Sequence, residues 1–314
     1  MSAAELSVIV PVKDEEEAVG PCVERLGAVL DKSDVAGRYE ILFVDDGSSD
    51  GTLDAIRRLH HGNPHVRAIS LSRNFGKEAA LSAGLDHALG RAVVPLDVDL
   101  QDPPEVLPAM IAKWREGFEI VYGVRDNRDT DSFPKRLTAD LYYRAHNLLT
   151  HDKIPEHAGD FRLLDRKVVD VIRAMPERNR FMKGLFAWAG FRQSSVSYTR
   201  EPRRVGRTKF NYWKLWTFAL DGITSASTVP LRVWSYIGAS VAVLAMAYAI
   251  IVVIRTLMFG VDTPGYASLM VAILFLGGLQ LLCLGILGEY VGRIFTETKG
   301  RPIYVVREMI GGDE

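Results

Sequence analysis

Acidic and amide side chains are concentrated in one short stretch, residues 93–104. It begins with an apolar run, 93–96, that is short enough to be a buried strand. The polar side chains that follow are Asp97, Asp99, Gln101 and Asp102. Hard oxygen ligands with few neutralising neighbours suit Mg²⁺ or Mn²⁺, which proteins usually share with the phosphates of a substrate. A lone Asp-x-Asp also occurs in ordinary solvated turns, so the rest of the chain must decide between the two interpretations.

Three further segments of strand length, 6–12, 39–44 and 66–71, are mostly apolar and are followed by charged residues. The residues at these ends are Asp14 and Glu15, Asp45 and Asp46, and Arg73 and Lys77. Helical segments separate the runs, and a fifth strand is expected over 119–122. Strands that alternate with helices predict a doubly wound, mostly parallel α/β sheet. Because ligands bind outside the carboxyl ends of such strands, all four polar groups are expected at one edge.

Several classes of protein are disfavoured by what the sequence lacks. No Gly-x-Gly-x-x-Gly follows the first run, and no Gly-x-x-x-x-Gly-Lys-Ser is present, so a bound nucleotide must be held by acids, backbone and metal. A formal net charge of −1 over 314 residues argues against general nucleic-acid binding. Cys22 and Cys283 predict neither a disulfide framework nor a metal site.

Two long stretches, 235–254 and 266–288, contain no charged residue, and each is long enough to span a bilayer. Their connecting loop, 259–264, has no Lys or Arg. Cations lie outside both spans, at Arg232, Arg293, Lys299, Arg301 and Arg307. The positive-inside rule therefore predicts a hairpin in the inner membrane with both termini in the cytoplasm. Glycines in the second span form a small-residue face that can pack helices within one chain or in a homo-oligomer.

The region before the spans carries patterns typical of helices on a membrane surface, over 133–149 and 209–228. Between them lies the most basic stretch, with Arg200, Arg203, Arg204, Arg207 and Lys209. It is either a solvated loop or a clamp for phosphates, whose oxygens match the paired donors of arginine. The predicted domains are a cytosolic catalytic domain over 1–208, an interfacial region over 209–231, two transmembrane helices over 232–292 and a cytosolic tail over 293–314.

In their order along the chain these motifs resemble the family 2 glycosyltransferases of GT-A fold. The resemblance is carried by residues 10–17, 44–52 and 97–102. Residues 72–77, 159–163 and 200–210 are similar to the polyprenyl-phosphate glycosyltransferases. The paired spans and residues 287–295 resemble the bactoprenol glucosyltransferase branch, which is related to dolichyl-phosphate mannose synthase.

The resemblance implies a role for each part of the site. Nucleotide-sugar binding falls to Pro11, Val12, Glu15, Asp45, Asp46, Lys77 and Asp97. Asp99 and Gln101 would coordinate the Mg²⁺ or Mn²⁺ on the diphosphate. Arg200, Arg203 and Lys209 would bind phosphates of donor or acceptor, and Asp160 matches the position proposed as the catalytic base.

The implied reaction is inverting transfer of a hexose, with UDP-glucose as first choice of donor, to polyprenyl phosphate at the cytoplasmic leaflet. GDP-mannose and UDP-N-acetylhexosamine are alternative donors. A processive polysaccharide synthase would carry Gln-x-x-Arg-Trp and more spans, and this chain has neither. A membrane-bound sensor of nucleotide sugars would keep the acids for the nucleotide but would need neither Asp160 nor the cations of 200–209.

Overall fold

The computed structural model describes residues 4–125, 158–178, 180, 182–200, 229–260 and 265–311. The chain forms two compact units, Met1–Ala219 with Arg301–Glu314, and Leu220–Gly300. The surface helices expected over 133–149 and 209–228 lie outside the described residues.

The first unit is built on an eight-stranded sheet in the order β7-β5-β6-β4-β1-β2-β3-β8. The strands are β1 (Leu6–Val12), β2 (Tyr39–Asp45), β3 (Val66–Leu71), β4 (Ala92–Pro95), β5 (Ile120–Arg125), β6 (Ala158–Asp165), β7 (Gln193–Tyr198) and β8 (Val306–Ile310). Parallel pairing joins β4, β1, β2 and β3, and also β5 with β7. Strand β6 is antiparallel to both β4 and β5, and β8 is antiparallel to β3.

Helices cover both faces of this sheet, as strands that are apolar on both sides require. They are α1 (Glu16–Leu30), α2 (Thr52–Gly62), α3 (Lys77–His87), α4 (Leu107–Arg115), α5 (Arg166–Ala174) and α6 (Met182–Trp188). Buried side chains of α1, α2 and α4 form one core with the sheet, and those of α3, α5 and α6 form a second core on the other face. The doubly wound, mostly parallel sheet expected from the sequence is therefore confirmed.

The second unit contains two long helices, α7 (Val229–Phe259) and α8 (Tyr266–Thr298). Within them, Tyr236–Phe259 and Val271–Thr298 are long and apolar enough to cross a membrane. At 1.5 Å per residue both exceed the ~30 Å thickness of a bilayer core. None of the residues tested in these two segments is buried in protein, which is unlike a helix in a soluble core.

Two glycines on helices that cover opposite faces of the sheet test how closely the helices pack on it. A methyl group at Gly84, in α3, would overlap the buried side chain of Ile9 in β1, whereas a methyl group at Gly27, in α1, would meet the Tyr39 hydroxyl at an ordinary contact distance of 3.9 Å. We expect Gly84→Ala to cost about 1–3 kcal/mol of unfolding free energy through overpacking. Gly27→Ala should instead gain about 0.5–1 kcal/mol, because it gains helix propensity without a clash.

The measurement is the thermal unfolding midpoint of both purified variants in the same detergent. The packing described for α3 on β1 predicts a lower midpoint for Gly84→Ala and an unchanged or higher one for Gly27→Ala. Equal midpoints would contradict that packing.

Candidate active site

The loop after β4 folds back on itself at the carboxyl edge of the sheet. Asp97 lies at its start, and the Nζ of Lys77, the first residue of α3, is 2.7 Å from Asp97 Oδ1. Asp99 Oδ1 accepts a hydrogen bond from the backbone N–H of Gln101 at 3.2 Å. Between them, the buried Leu100 has a φ of +52°, a left-handed conformation that large side chains rarely adopt. Backbone strain of this kind is concentrated at ligand-binding sites.

The chemistry of Asp99 and Gln101 fits a divalent cation that is shared with a diphosphate. One carboxylate and one amide offer hard oxygen donors, and Mg²⁺ is usually held by one or two carboxylates together with substrate phosphates and water. Among the residues that the structure describes, no group of three or more His, Cys, Asp or Glu side chains could hold an ion.

The two acids after β2 are buried and are held by donors from neighbouring loops. Asp45, only 2% exposed, accepts hydrogen bonds from the N–H of Ser48 at 3.0 Å and the hydroxyl of Ser70 at 2.9 Å. Asp46, 5% exposed, accepts from the N–H groups of Phe75 at 2.6 Å and Gly76 at 2.9 Å. Each carboxylate thus ties the end of β2 to β3 or to the loop that follows β3.

Asp46 is a buried carboxylate that the protein stabilises with dipoles. Burial raises its pKa, and the two amide hydrogen bonds from the β3–α3 loop act in the opposite direction, as does the nearby Lys13. Because a carboxylate has about four lone-pair positions, two bonds from amides leave room for a ligand hydroxyl.

The loop between β1 and α1 is cross-linked to the turn after β2. The backbone N–H groups of Asp14 and Glu15 each donate at 2.9 Å, to the hydroxyls of Ser48 and Thr52. The Asp14 carboxylate accepts in return from the N–H of Ser49 at 2.8 Å. Asp14 has a φ of +53°, so the two described non-glycine residues with positive φ, Asp14 and Leu100, both lie in loops at this edge. Pro11 and Val12 form the end of β1 beneath these loops.

A buried network that the sequence did not predict supports the loop after β4. Asp102, 6% exposed, accepts a hydrogen bond from the hydroxyl of Tyr198, the last residue of β7, at 2.5 Å. Arg125, the last residue of β5, lies 3.7 Å from the same carboxylate. Burial raises the pKa of Asp102, and both partners oppose that shift. Arg200 donates to Gln101 Oε1, so the first cation of the basic stretch reaches the proposed metal loop.

The remaining predicted residues are placed only in part. The backbone of Asp160 lies near the start of β6. Since β6 runs antiparallel to β4 and β5, its start lies at the edge where those strands end. Arg203 and Lys209 lie outside the described residues.

Some residues of the site are not assigned a role by the sequence analysis. Asp102 lies within residues 97–102, a motif that carries the family resemblance, but the sequence gives it no role. The amides of Phe75 and Gly76 lie within the motif 72–77, where the resemblance assigns a role to Lys77. Tyr198 contacts Asp102 across 96 positions of sequence, and no local pattern indicates such a contact.

Comparisons with known proteins place the chain in a family. Residues 7–173 match the model of glycosyl transferase family 2, and residues 229–294 match the GtrB C-terminal hairpin. The chain is 52% identical to an uncharacterized glycosyltransferase of Synechocystis sp., over 98% of this chain and 96% of that one. It is 49% identical to a bactoprenol glucosyl transferase of Shigella phage SfII, over 98% and 99% of the two chains.

Among solved structures, mannosyl-3-phosphoglycerate synthase from Rubrobacter xylanophilus aligns with a TM-score of 0.49 and 18% identity, over 73% of this chain and 74% of that one. The sheet belongs to the doubly wound α/β class, in which ligands bind outside the carboxyl ends of the strands. The family model covers more than half of the chain, so this protein belongs to glycosyltransferase family 2. The matched hairpin and the two apolar helices make it a membrane-associated member.

The hydrogen bonds between the β1–α1 loop and the turn after β2 should make the stability of the protein depend on pH. The backbone hydrogen bond from Ser49 is the main cause that lowers the pKa of Asp14. A carboxyl whose pKa is lower in the folded state adds stability above its unfolded value of about 3.9 and loses that stability as the pH falls through the folded pKa. We therefore expect Asp14→Asn to lower the unfolding midpoint at pH 7 but to differ little from wild type near pH 3.

The midpoints of both proteins should be measured from pH 7 to pH 3 in one detergent. Asp170→Asn, at an exposed position on α5, is the control for loss of a surface charge. A difference between Asp14→Asn and wild type that is independent of pH would contradict the prediction.

Proposed function

We propose that this protein transfers glucose from UDP-glucose to a polyprenyl phosphate at the cytoplasmic leaflet, with inversion at the anomeric carbon. The observation that carries the proposal is likeness over almost the whole chain to proteins named bactoprenol glucosyl transferase, at 48–49% identity. The likeness includes the hairpin as well as the sheet, and a membrane hairpin suits an enzyme whose acceptor is a lipid. The identity of the donor is the least constrained part of the proposed reaction, because GDP-mannose and UDP-N-acetylhexosamine would suit the same chemistry.

The nucleotide end of the site is formed by the ends of β1 and β2. Base and ribose would bind among Pro11, Val12, Glu15, Asp45 and Asp46. Asp46 supports this assignment, because it is fixed by two amides and still has lone pairs for a ribose hydroxyl. Lys77 and Asp97 neutralise each other at 2.7 Å, and the sugar diphosphate would bind beside this pair.

The diphosphate would be held over the loop after β4, where Asp99 and Gln101 bind Mg²⁺ or Mn²⁺. When bound, the cation stabilises the negative charge that develops on the departing nucleoside diphosphate. The buried hydrogen bond between Asp102 and Tyr198 holds this loop, in which Leu100 keeps its left-handed conformation. A loop that is held in one conformation before the substrate binds needs little rearrangement during the reaction.

The acceptor would approach from the side of β6 and the basic stretch. Its phosphate oxygen attacks the anomeric carbon, the bond from that carbon to the diphosphate oxygen breaks, and the electron pair leaves with the diphosphate. A phosphate monoester has a second pKa near 6, so it is already a nucleophile at neutral pH. Asp160 would position the acceptor or accept a residual proton, and Arg200, Arg203 and Lys209 would bind the phosphates.

The proposed membrane topology has two spans and a cytoplasmic catalytic unit. Strand β8, after the hairpin, pairs with β3 in the same sheet that contains β1. The chain before α7 and the chain after α8 would therefore be on one side of a membrane that the hairpin crosses. The absence of Lys and Arg from 259–264 favours the cytoplasm as that side.

Two substitutions test the assignment of metal and acceptor residues. Asp99→Ala removes the only carboxylate proposed for the cation, and Asp160→Asn removes a negative charge at the acceptor while keeping the shape of the side chain. Each is expected to reduce glucosyl transfer at least 100-fold, the typical effect of losing an electrostatic or acid–base group in catalysis. The measurement is radiolabelled glucose recovered in lipid when the variant is incubated with UDP-glucose and polyprenyl phosphate.

The control is Asp170→Asn, which removes an exposed carboxylate on α5 and should leave the rate unchanged. All three variants should keep the unfolding midpoint of the wild type within a few degrees. Near-normal transfer by both Asp99→Ala and Asp160→Asn would refute the assignment of these residues.

A further inference from the structure

The two residues just before β8 contact the start of the β3–α3 loop and the far end of α3. The main chain of Val305 accepts a hydrogen bond from the N–H of Ser72 at 2.9 Å, at the start of the loop. The hydroxyl of Tyr304 donates to Asp86 at 2.7 Å, near the last residue of α3. Between these two attachments lie the loop residues 72–76 and residues 77–85 of α3.

The same loop positions three of the residues proposed to bind the nucleotide sugar. Its Phe75 and Gly76 amides bind Asp46. Immediately after it, Lys77 contacts Asp97. The side chain of Phe75 packs on the same core cluster as Tyr304 and Val306. The β3–α3 loop and the chain around the start of β8 therefore pack on one core cluster, on the face of the sheet that α3 covers.

Without β8, strand β3 would be the edge of the sheet. The register pairs Leu71 with Val306 and Ser70 with Glu308, with an irregularity between the two pairs. Ser70 is also the donor to Asp45. Side chains add to this backbone pairing. The Glu308 carboxylate lies 2.6 Å from the guanidinium of Arg57, and the carbonyl of Gly311 accepts a hydrogen bond from Arg67 at 3.0 Å. Because β8 covers the edge of the sheet and makes these contacts, it can hold the neighbouring β3–α3 loop in one conformation.

We propose that the segment 304–308 is a positioning element of the donor site, which orders the β3–α3 loop and so fixes Asp46 and Lys77 for the nucleotide. This proposal rests on the function proposed above, in which those residues bind the nucleotide sugar. The segment touches no reacting group itself. It follows α8 after a connection over residues 299–303, so the chain that leaves the hairpin returns to the sheet beside the nucleotide end of the site.

The test compares two substitutions at Tyr304 in the full-length protein. Tyr304→Ala removes both the packing of the ring and the hydrogen bond to Asp86, while Tyr304→Phe keeps the ring. UDP affinity is expected to fall about tenfold in Tyr304→Ala and about threefold in Tyr304→Phe, within the range for the loss of one or two such interactions. The KM for UDP-glucose should rise in parallel, while kcat and the KM for polyprenyl phosphate change less than about twofold.

Hydrogen exchange provides a readout of the loop itself. Amides in residues 72–78 should exchange faster in Tyr304→Ala than in wild type, while those of β2 keep their protection. Met309→Ala is the matched control, because it changes an exposed side chain of the same strand outside the segment 304–308. It should leave UDP affinity and exchange unchanged.

Unchanged UDP affinity in Tyr304→Ala would overturn the proposal, whether or not exchange in the loop increases. A parallel loss of UDP affinity, kcat and acceptor binding, together with a lower unfolding midpoint, would also overturn the proposal. That pattern would indicate that Tyr304 stabilises the fold as a whole and has no specific role at the donor site. UDP binding needs no acceptor, so failure of wild type to glucosylate polyprenyl phosphate would refute the proposed function separately.

Discussion

The site depends most on the hydrogen bonds that the buried carboxylate of Asp46 accepts from the amides of Phe75 and Gly76. An isolated buried carboxylate would be strongly destabilising, and here backbone dipoles provide part of the compensation. The consequence is geometric as well as energetic. The end of β2 is fixed to the loop after β3, and α3 begins where Lys77 meets Asp97 beyond β4. The loops after β2, β3 and β4 thus share one arrangement that no single loop could maintain.

The same solution recurs along the sheet edge. Asp45 is held by Ser48 and Ser70, Asp14 by Ser49, and Asp102 by Tyr198, so hydroxyls and amides carry most of the stabilisation. Dipolar donors hold a carboxylate without neutralising its charge. This is suitable for the cation and the polyhydroxyl ligand that we propose for this site. The cations that are present, Lys77 and Arg200, contact Asp97 and Gln101 at the place proposed for the diphosphate.

Sequence reasoning succeeded where the information is local. Strands β1 to β4 are each a short, mostly apolar segment followed by charged residues, so both the sheet and its polar edge could be predicted. Strand β8 could not be, because Val306–Ile310 contains Arg307 and Glu308 and derives its strand conformation from pairing with β3. Tyr198 and Arg125 likewise reach Asp102 only through the order of β5, β6 and β7. Nothing near Asp102 in sequence encodes that order. The roles of Asp160, Arg203 and Lys209 stay predictions.

Metal-dependent glucosyl transfer is measured most directly with purified protein in detergent, radiolabelled UDP-glucose and polyprenyl phosphate. We expect label in the lipid and release of one UDP per glucose transferred, only when the lipid phosphate and Mg²⁺ or Mn²⁺ are both present. Addition of EDTA should stop both transfer and UDP release. Binding of UDP-glucose without transfer would contradict the proposed function and indicate a sensor. Transfer that continues undiminished in EDTA would contradict the proposed role of the cation.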